Sequence, residues 1–123
     1  MPPADLDGAF AALREVLRPY AGQLVVRADS DDELALDTRH RLPGGRLLFF
    51  GSVQKRKAYV SYHLFAVYTD PDLLDGLSAG LRRRMQGKSC FNLKAPEAEL
   101  VEELRALTAA AFARYRERGY VAE

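Results

Sequence analysis

Residues 46–68, RLLFFGSVQKRKAYVSYHLFAVY, contain two runs of apolar residues that predict the central strands of the fold. Residues 46–53 are apolar on both faces of an extended chain, which is typical of a central strand. Residues 58–68 are rich in aromatic and β-branched side chains, so they predict a second, long strand. Because only the polar residues 54–57 separate the two runs, the sequence predicts an antiparallel hairpin.

Further strands flank this hairpin on both sides. Apolar and polar residues alternate along residues 23–28 and 33–38, and a cluster of turn-forming residues separates the two segments. Residues 88–94 form the last predicted strand, and Pro71 opens short helical turns before it. The sequence therefore predicts an antiparallel β-sheet of about five to six strands.

Two helices, at the N- and C-terminal ends of the chain, complete the predicted fold. Residues 4–18 and 96–118 carry apolar side chains at steps of three and four, the spacing of one helix face. Acidic residues lie near the start of each segment and arginines near its end, which suits the helix dipole. The prediction is a single α+β domain over residues 1–123, with both helices packed on one face of the sheet.

Composition narrows the classes of partner. The chain of 123 residues has 18 Lys and Arg against 17 Asp and Glu, a net charge of +1, which does not favour nucleic acid or an anionic membrane. Its single cysteine excludes a disulfide framework and a multi-thiolate metal site. The sequence lacks a long apolar stretch and the pattern of a signal peptide, so we expect a cytoplasmic protein without a membrane span.

The densest group of reactive side chains lies in the second strand of the hairpin. Strand alternation places Tyr59 and His63 on one face. His63 can bind a ligand or exchange a proton near neutral pH. With two lysines nearby, the sequence predicts a site for an anion or another small molecule at Lys57, Tyr59, His63 and Lys88.

Ordinary packing is the alternative interpretation of these residues. His63 is then a structural histidine that packs on Phe65 and bonds to Ser61 or to backbone. Cys90, the only thiol, is then inert filling in an apolar strand. An enzyme would need His63 and Cys90 close together and accessible, and no set of nucleophile, base and orienting residue accompanies them. The sequence therefore predicts a binding module rather than an enzyme.

An acidic turn is the candidate metal site. Asp29, Asp31, Asp32 and Glu33 are close in sequence, and their carboxylate oxygens suit a hard cation. The spacing is not that of an EF-hand loop, because the glycine and the distal glutamate are missing. The alternative is a solvated turn. Two basic runs, at residues 55–57 and 82–88, would form an anion-binding surface if they converged, and are otherwise surface charge.

The phenylalanine pair at the centre of the hairpin predicts a second apolar surface. Phe49 and Phe50 are adjacent in a strand, so their side chains point to opposite faces of the sheet. Only one of these faces can lie under the terminal helices. The other ring must lie under the short helices, in a pocket or in a homodimer contact.

Three segments resemble the YdhG-like domain of unknown function. They are YVSYHL at residues 59–64, PDLL at residues 71–74 and GKSCFNLK at residues 87–94, and the likeness extends from the first helix to Tyr120. The resemblance implies a frataxin-like fold, in which two terminal helices cover one face of an antiparallel sheet. It also implies an intracellular iron chaperone that passes its iron to an accepting protein.

The resemblance makes carboxylates the expected iron ligands. Frataxins bind iron through acidic residues of the first helix and an adjoining strand edge, whereas here the helix has only Asp5, Asp7 and Glu15. The acidic turn supplies the other carboxylates. Three functions therefore stand as alternatives: an iron-binding module, a small-molecule or anion-binding domain near His63, and a homodimeric interaction adaptor.

Overall fold

The chain forms a six-stranded antiparallel sheet, and the helices at its two ends pack against that sheet. The computed structural model describes residues 4–121. The strands are β1 (Val25–Asp29), β2 (Glu33–Arg41), β3 (Leu47–Lys55), β4 (Val60–Leu64), β5 (Met85–Gln86) and β6 (Cys90–Leu93). They lie in the order β1-β2-β3-β4-β6-β5, so β3 and β4 occupy the centre.

The α-helices are α1 (Leu6–Leu17), α2 (Phe65–Thr69), α3 (Ala79–Arg82) and α4 (Ala98–Glu117), with 3-10 helices at Arg18–Gln23 and Pro71–Leu74. The predicted α+β class, the antiparallel sheet and the two terminal helices are thus confirmed. In residues 4–121 no helix combines the length and the hydropathy that crossing a membrane would demand.

One element differs from the predicted hairpin. The strand expected over residues 58–68 ends at Leu64, and residues Phe65–Thr69 form α2 instead. The neighbouring strand β6 begins at Cys90, opposite His63, so the chain beyond Leu64 would have no partner on that side. A helical turn buries Ala66 and Val67 in the core, and this packing overrides the strand propensity of Phe65, Val67 and Tyr68.

The core lies between the sheet and the helices α1 and α4. Phe50 and Tyr62 are fully buried there. The Phe50 ring lies 5.7 Å from the ring of Phe112 and 5.5 Å from that of Tyr115, both on α4. The Tyr62 hydroxyl lies 2.6 Å from that of Thr108, and burial raises the pKa of this tyrosine. Aromatic packing therefore joins the centre of the sheet to the C-terminal helix.

A bulge in β3 decides which ring of the phenylalanine pair enters the core. Gly51 pairs with Leu36 and Phe49 with Asp37, so Phe50 has no partner in that register. A Cβ atom on Gly51 would lie 2.8 Å from the backbone oxygen of His63, which explains why a glycine stands here. Phe50 consequently enters the core while Phe49 faces the other side of the sheet, as the alternation predicted.

Asp70, directly after α2, ties this part of the fold to α4. Its side chain is only 4% exposed; it accepts a hydrogen bond from Arg114 at 2.8 Å and forms an ion pair with Arg118, whose nitrogen lies 2.9 Å away. Asp72, which is 58% exposed, binds the same Arg114 guanidinium, and this bond lowers the pKa of Asp72. One arginine thus bridges a buried and an exposed carboxylate.

The two edges of the sheet are short or irregular. The edge strand β1 has five residues, and its register with β2 shifts between Val26 and Ala28. The opposite edge strand, β5, has only two residues. Neither edge offers a long, regular row of free backbone groups.

Candidate functional site

The candidate site lies on the face of the sheet opposite α1 and α4. Along β4 the residues Val60, Tyr62 and Leu64 are buried in the core, whereas Ser61 and His63 are half-buried on the other face. This alternation is the one that the sequence predicts. The face carries polar side chains around the ring of Phe49.

Two adjoining cavities form a groove over this ring, which we call the Phe49 groove. Their volumes are about 370 and 330 Å³, and Arg46, Leu47 and Phe49 border both. The remaining lining residues come from β1 to α2 and are Arg27, Asp37, Leu42, Leu48, His63 and Phe65. Each cavity is within the size range of small-molecule sites.

Aromatic rings and a guanidinium hold Phe49 in place. Its ring lies 5.0 Å from the His63 ring, edge to face, and 6.3 Å from that of Phe65. The guanidinium of Arg27 lies 5.1 Å from its centroid, a cation–π distance. Since its neighbours come from three separate elements, the ring is a preorganised apolar floor.

The two arginines of the groove differ in their availability. Arg27 is engaged by Asp37, whose carboxylate lies 3.1 Å from its Nε. Arg46 is exposed at the rim, next to both cavities. Arg46 is therefore the cation that can meet the negative charge of a ligand without first breaking an ion pair.

His63 is held by a hydrogen bond with Ser89. The Ser89 Oγ lies 2.7 Å from Nε2 of the half-buried ring. Burial lowers the pKa of His63 below its ordinary value of 6.5, which favours the neutral form of the ring at pH 7. The packing alternative named Phe65 and Ser61 as its neighbours, but Phe49 and Ser89 hold the ring.

The lowered pKa of His63 predicts a stability loss in mild acid. A histidine in the unfolded chain takes up a proton near its ordinary pKa, while the folded protein resists that proton until a lower pH. The free energy of unfolding should therefore fall as the pH drops through the window between these two pKa values. Urea unfolding from about pH 7.5 to about pH 5 should show the fall in wild type.

His63→Gln is the matched variant for this measurement, because glutamine can bond to Ser89 but does not titrate. We expect its unfolding free energy to change less over the same pH range. Equal pH dependence of the two proteins would mean that His63 takes no part in it.

The structure does not bring together the four residues of the predicted small-molecule site. Lys57 and Tyr59 lie at the β3–β4 turn, while His63 lies near the far end of β4. The four residue steps of extended chain from Tyr59 to His63 span about 13 Å. Lys88 lies between β5 and β6, with its Nζ 5.8 Å from the ring centroid of Tyr68. Of the four, only His63 lines the Phe49 groove.

Cys90 lies opposite His63 in the ladder between β4 and β6. Its side chain is half-buried, and the imidazole shares its hydrogen bond with the hydroxyl of the neighbouring Ser89. The cross-strand pairing that the sequence left open is thus present, but the bonded partner of the histidine is a hydroxyl rather than the thiol.

Three of the four carboxylates of the acidic turn, those of Asp29, Asp32 and Glu33, accept hydrogen bonds from other side chains of the protein. Asp29 pairs with Arg14 of α1, which lowers the pKa of Asp29. Ser30 donates a hydrogen bond to Asp32, and Gln54 donates one to Glu33 at 2.7 Å. Within residues 4–121, no three His, Cys, Asp or Glu side chains are grouped to hold a metal ion. The arrangement at Asp29, Asp31, Asp32 and Glu33 does not fit an iron site.

Residues of both basic runs form ion pairs within the fold. Lys55 binds Asp7 of α1 at 2.8 Å, and Arg84 binds Glu97 just before α4 at 2.7 Å. These ion pairs join different elements, so part of each run stabilises the fold rather than forming a common basic surface.

Comparisons with known proteins found no significant match to the chain. No protein-family model matches it, and no curated protein and no solved structure shows significant similarity to it. The resemblance to YdhG-like and frataxin-like proteins, which depends on short motifs, therefore stays a prediction. Function has to be argued from the groove itself.

Proposed function

We propose that this protein is a non-enzymatic binding module that takes a small, flat, anionic molecule in the Phe49 groove. The observation that carries the proposal is the pairing of an aromatic floor, Phe49, with an exposed cation, Arg46, at the rim of one concavity. Small-molecule sites commonly combine an apolar lining with a few polar groups that fix the orientation of the ligand.

Each part of the groove suits one part of such a ligand. A flat apolar body can stack on the Phe49 ring and contact Leu47, while its negative charge meets Arg46. A guanidinium binds a carboxylate through two parallel hydrogen bonds, which makes it specific for planar anions. Neutral His63 can add one further hydrogen bond without demanding a second charge.

The test is a titration with 2-naphthoate, monitored by backbone amide NMR. We expect saturable shifts at the groove residues of β3 and β4, centred on Phe49 and His63. Arg46→Met should weaken binding about tenfold, because a charge-assisted hydrogen bond is lost while the apolar stem is kept.

Lys57→Met is the matched control, since Lys57 belongs to the site predicted from sequence but lies at the β3–β4 turn. Its naphthoate affinity should equal that of wild type. Shifts that cluster at the β3–β4 turn, or an Arg46→Met protein that binds as tightly as wild type, would refute the proposed site.

A homodimer through the same face is the main competing occupant of the groove. The elution volume of the protein, measured with and without naphthoate, separates the two cases. A dimer that naphthoate fails to dissociate, together with an absence of naphthoate shifts at Phe49, would mean that a second copy, rather than a small molecule, covers this ring.

A further inference from the structure

A further cavity, apart from the two that form the Phe49 groove, lies beside α2; we call it the Tyr68 cavity. Its volume is about 550 Å³. The residues that line it are Val67, Tyr68, Pro71, Leu74, Met85, Gly87 and Lys88. The walls thus come from α2, the following 3-10 helix, β5 and the turn after it.

Local sequence explains how these walls are built. Gly87 has a φ of +74°, a conformation that glycine adopts without strain, and this allows the tight turn between β5 and β6. The turn places Lys88 beside the ring of Tyr68. Pro71 starts the 3-10 helix that brings Leu74 to the opposite wall.

The Tyr68 cavity is separated from the Phe49 groove by a pair of stacked rings. Phe65 lines the groove and Tyr68 lines the cavity, and their rings lie 5.7 Å apart with an angle of 18° between the planes. The two spaces therefore have a common wall but different linings. A ligand in one does not need residues of the other.

The lining combines an apolar body with a single charge. Val67, Pro71, Leu74 and Met85 present hydrocarbon and a thioether, and Lys88 is the only charged residue among the seven. Asp70 and Asp72 bind Arg114, and no acid within residues 4–121, including Asp75 beside Leu74, forms an ion pair with Lys88. Lys88 thus keeps its charge available to a ligand.

The exposure of Tyr68 is a second observation in favour of a ligand in this cavity. Tyr68 is 52% exposed, so the rest of the protein leaves about half of its surface uncovered. Its ring stacks on Phe65 and lies within 5.8 Å of the Lys88 ammonium. An apolar ligand in the cavity would cover this ring and gain hydrophobic contact energy with it.

We propose that the Tyr68 cavity is a second binding site, which takes an aliphatic monocarboxylate. The chain of the ligand packs on Leu74 and Met85, and its carboxylate pairs with the Lys88 ammonium. A single lysine suits one negative charge, whereas a phosphate with two charges would call for more cations or an arginine fork. The site is independent of the proposed function, because none of its lining residues belongs to the Phe49 groove.

The experiment uses octanoate, below its micelle concentration, and protein labelled at the methionine methyl groups. The chain has two methionines, and Met85 lines the cavity, so its methyl signal reports directly on occupancy. We expect a saturable shift of this signal. Octanol, which has the same chain length without the carboxylate, should bind about tenfold more weakly.

Two variants decide the assignment. Lys88→Met should weaken octanoate binding to the level of octanol and leave octanol unaffected, since only the charge is removed. Arg46→Met, in the Phe49 groove, should bind octanoate as wild type does. Equal binding of octanoate and octanol by wild type, or an unmoved Met85 signal at saturating octanoate, would overturn the proposal whatever the result with naphthoate.

Discussion

Phe50→Ala is expected to lower the free energy of unfolding by about 3–5 kcal/mol, the usual cost of removing a fully buried phenylalanine ring. The ring has no exposed surface, and it contacts Phe112 and Tyr115 of α4 as well as Tyr20. Removing it would leave a void that the rigid aromatic neighbours cannot close. Urea or guanidinium denaturation monitored by circular dichroism measures the loss.

Phe49→Ala, one residue away, is the matched control. Its side chain lies on the other face of the sheet and is only half-buried, so we expect a loss of about 1–2 kcal/mol. The same change removes the floor of the Phe49 groove and should abolish naphthoate binding. If both alanine variants lost the same stability, Phe49 would belong to the core and the groove would not be an independent site.

Asp70→Ala is expected to cost about 3 kcal/mol, near the lower end for breaking a buried ion pair. The variant removes an almost fully buried carboxylate that binds both Arg114 and Arg118. The cost stays at the lower end because both guanidinium groups are partly exposed, so water can solvate them. Loss of this link should also loosen α2 against α4, which amide hydrogen exchange can measure.

Asp72→Ala separates the effect of burial from that of charge, because Asp72 binds the same Arg114 at an exposed position. We expect it to cost much less than Asp70→Ala, because water screens exposed ion pairs. Two variants of equal stability would show that burial of Asp70 adds nothing to the pair.

The sequence predicted the parts of this fold that depend on local periodicity. The alternation in β4 and the pair Phe49 and Phe50 were enough to place one ring in the core and the other on the second face. The end of β4 was mispredicted, because it depends on where β6 begins. Strand length in a sheet depends on its neighbours, and the neighbour of β4 comes more than twenty residues later in the chain.

The candidate site was less predictable than the fold. Arg27, Asp37 and Arg46 meet at Phe49 only because of the register of three strands. That register includes bulges, which cannot be predicted from a local sequence pattern. The acidic turn shows the converse error. Its carboxylates are close in sequence, but Arg14 reaches one of them from α1, so neighbouring acids do not become a common site.

The edges of the sheet also bear on how the protein behaves at high concentration. A foreign strand would find two residues to pair with at β5 and a broken register at Val26 and Ala28 in β1. Irregular and short edges hinder the backbone pairing from which cross-β fibrils grow. The fold can therefore leave one sheet face open for ligands without becoming a template for aggregation.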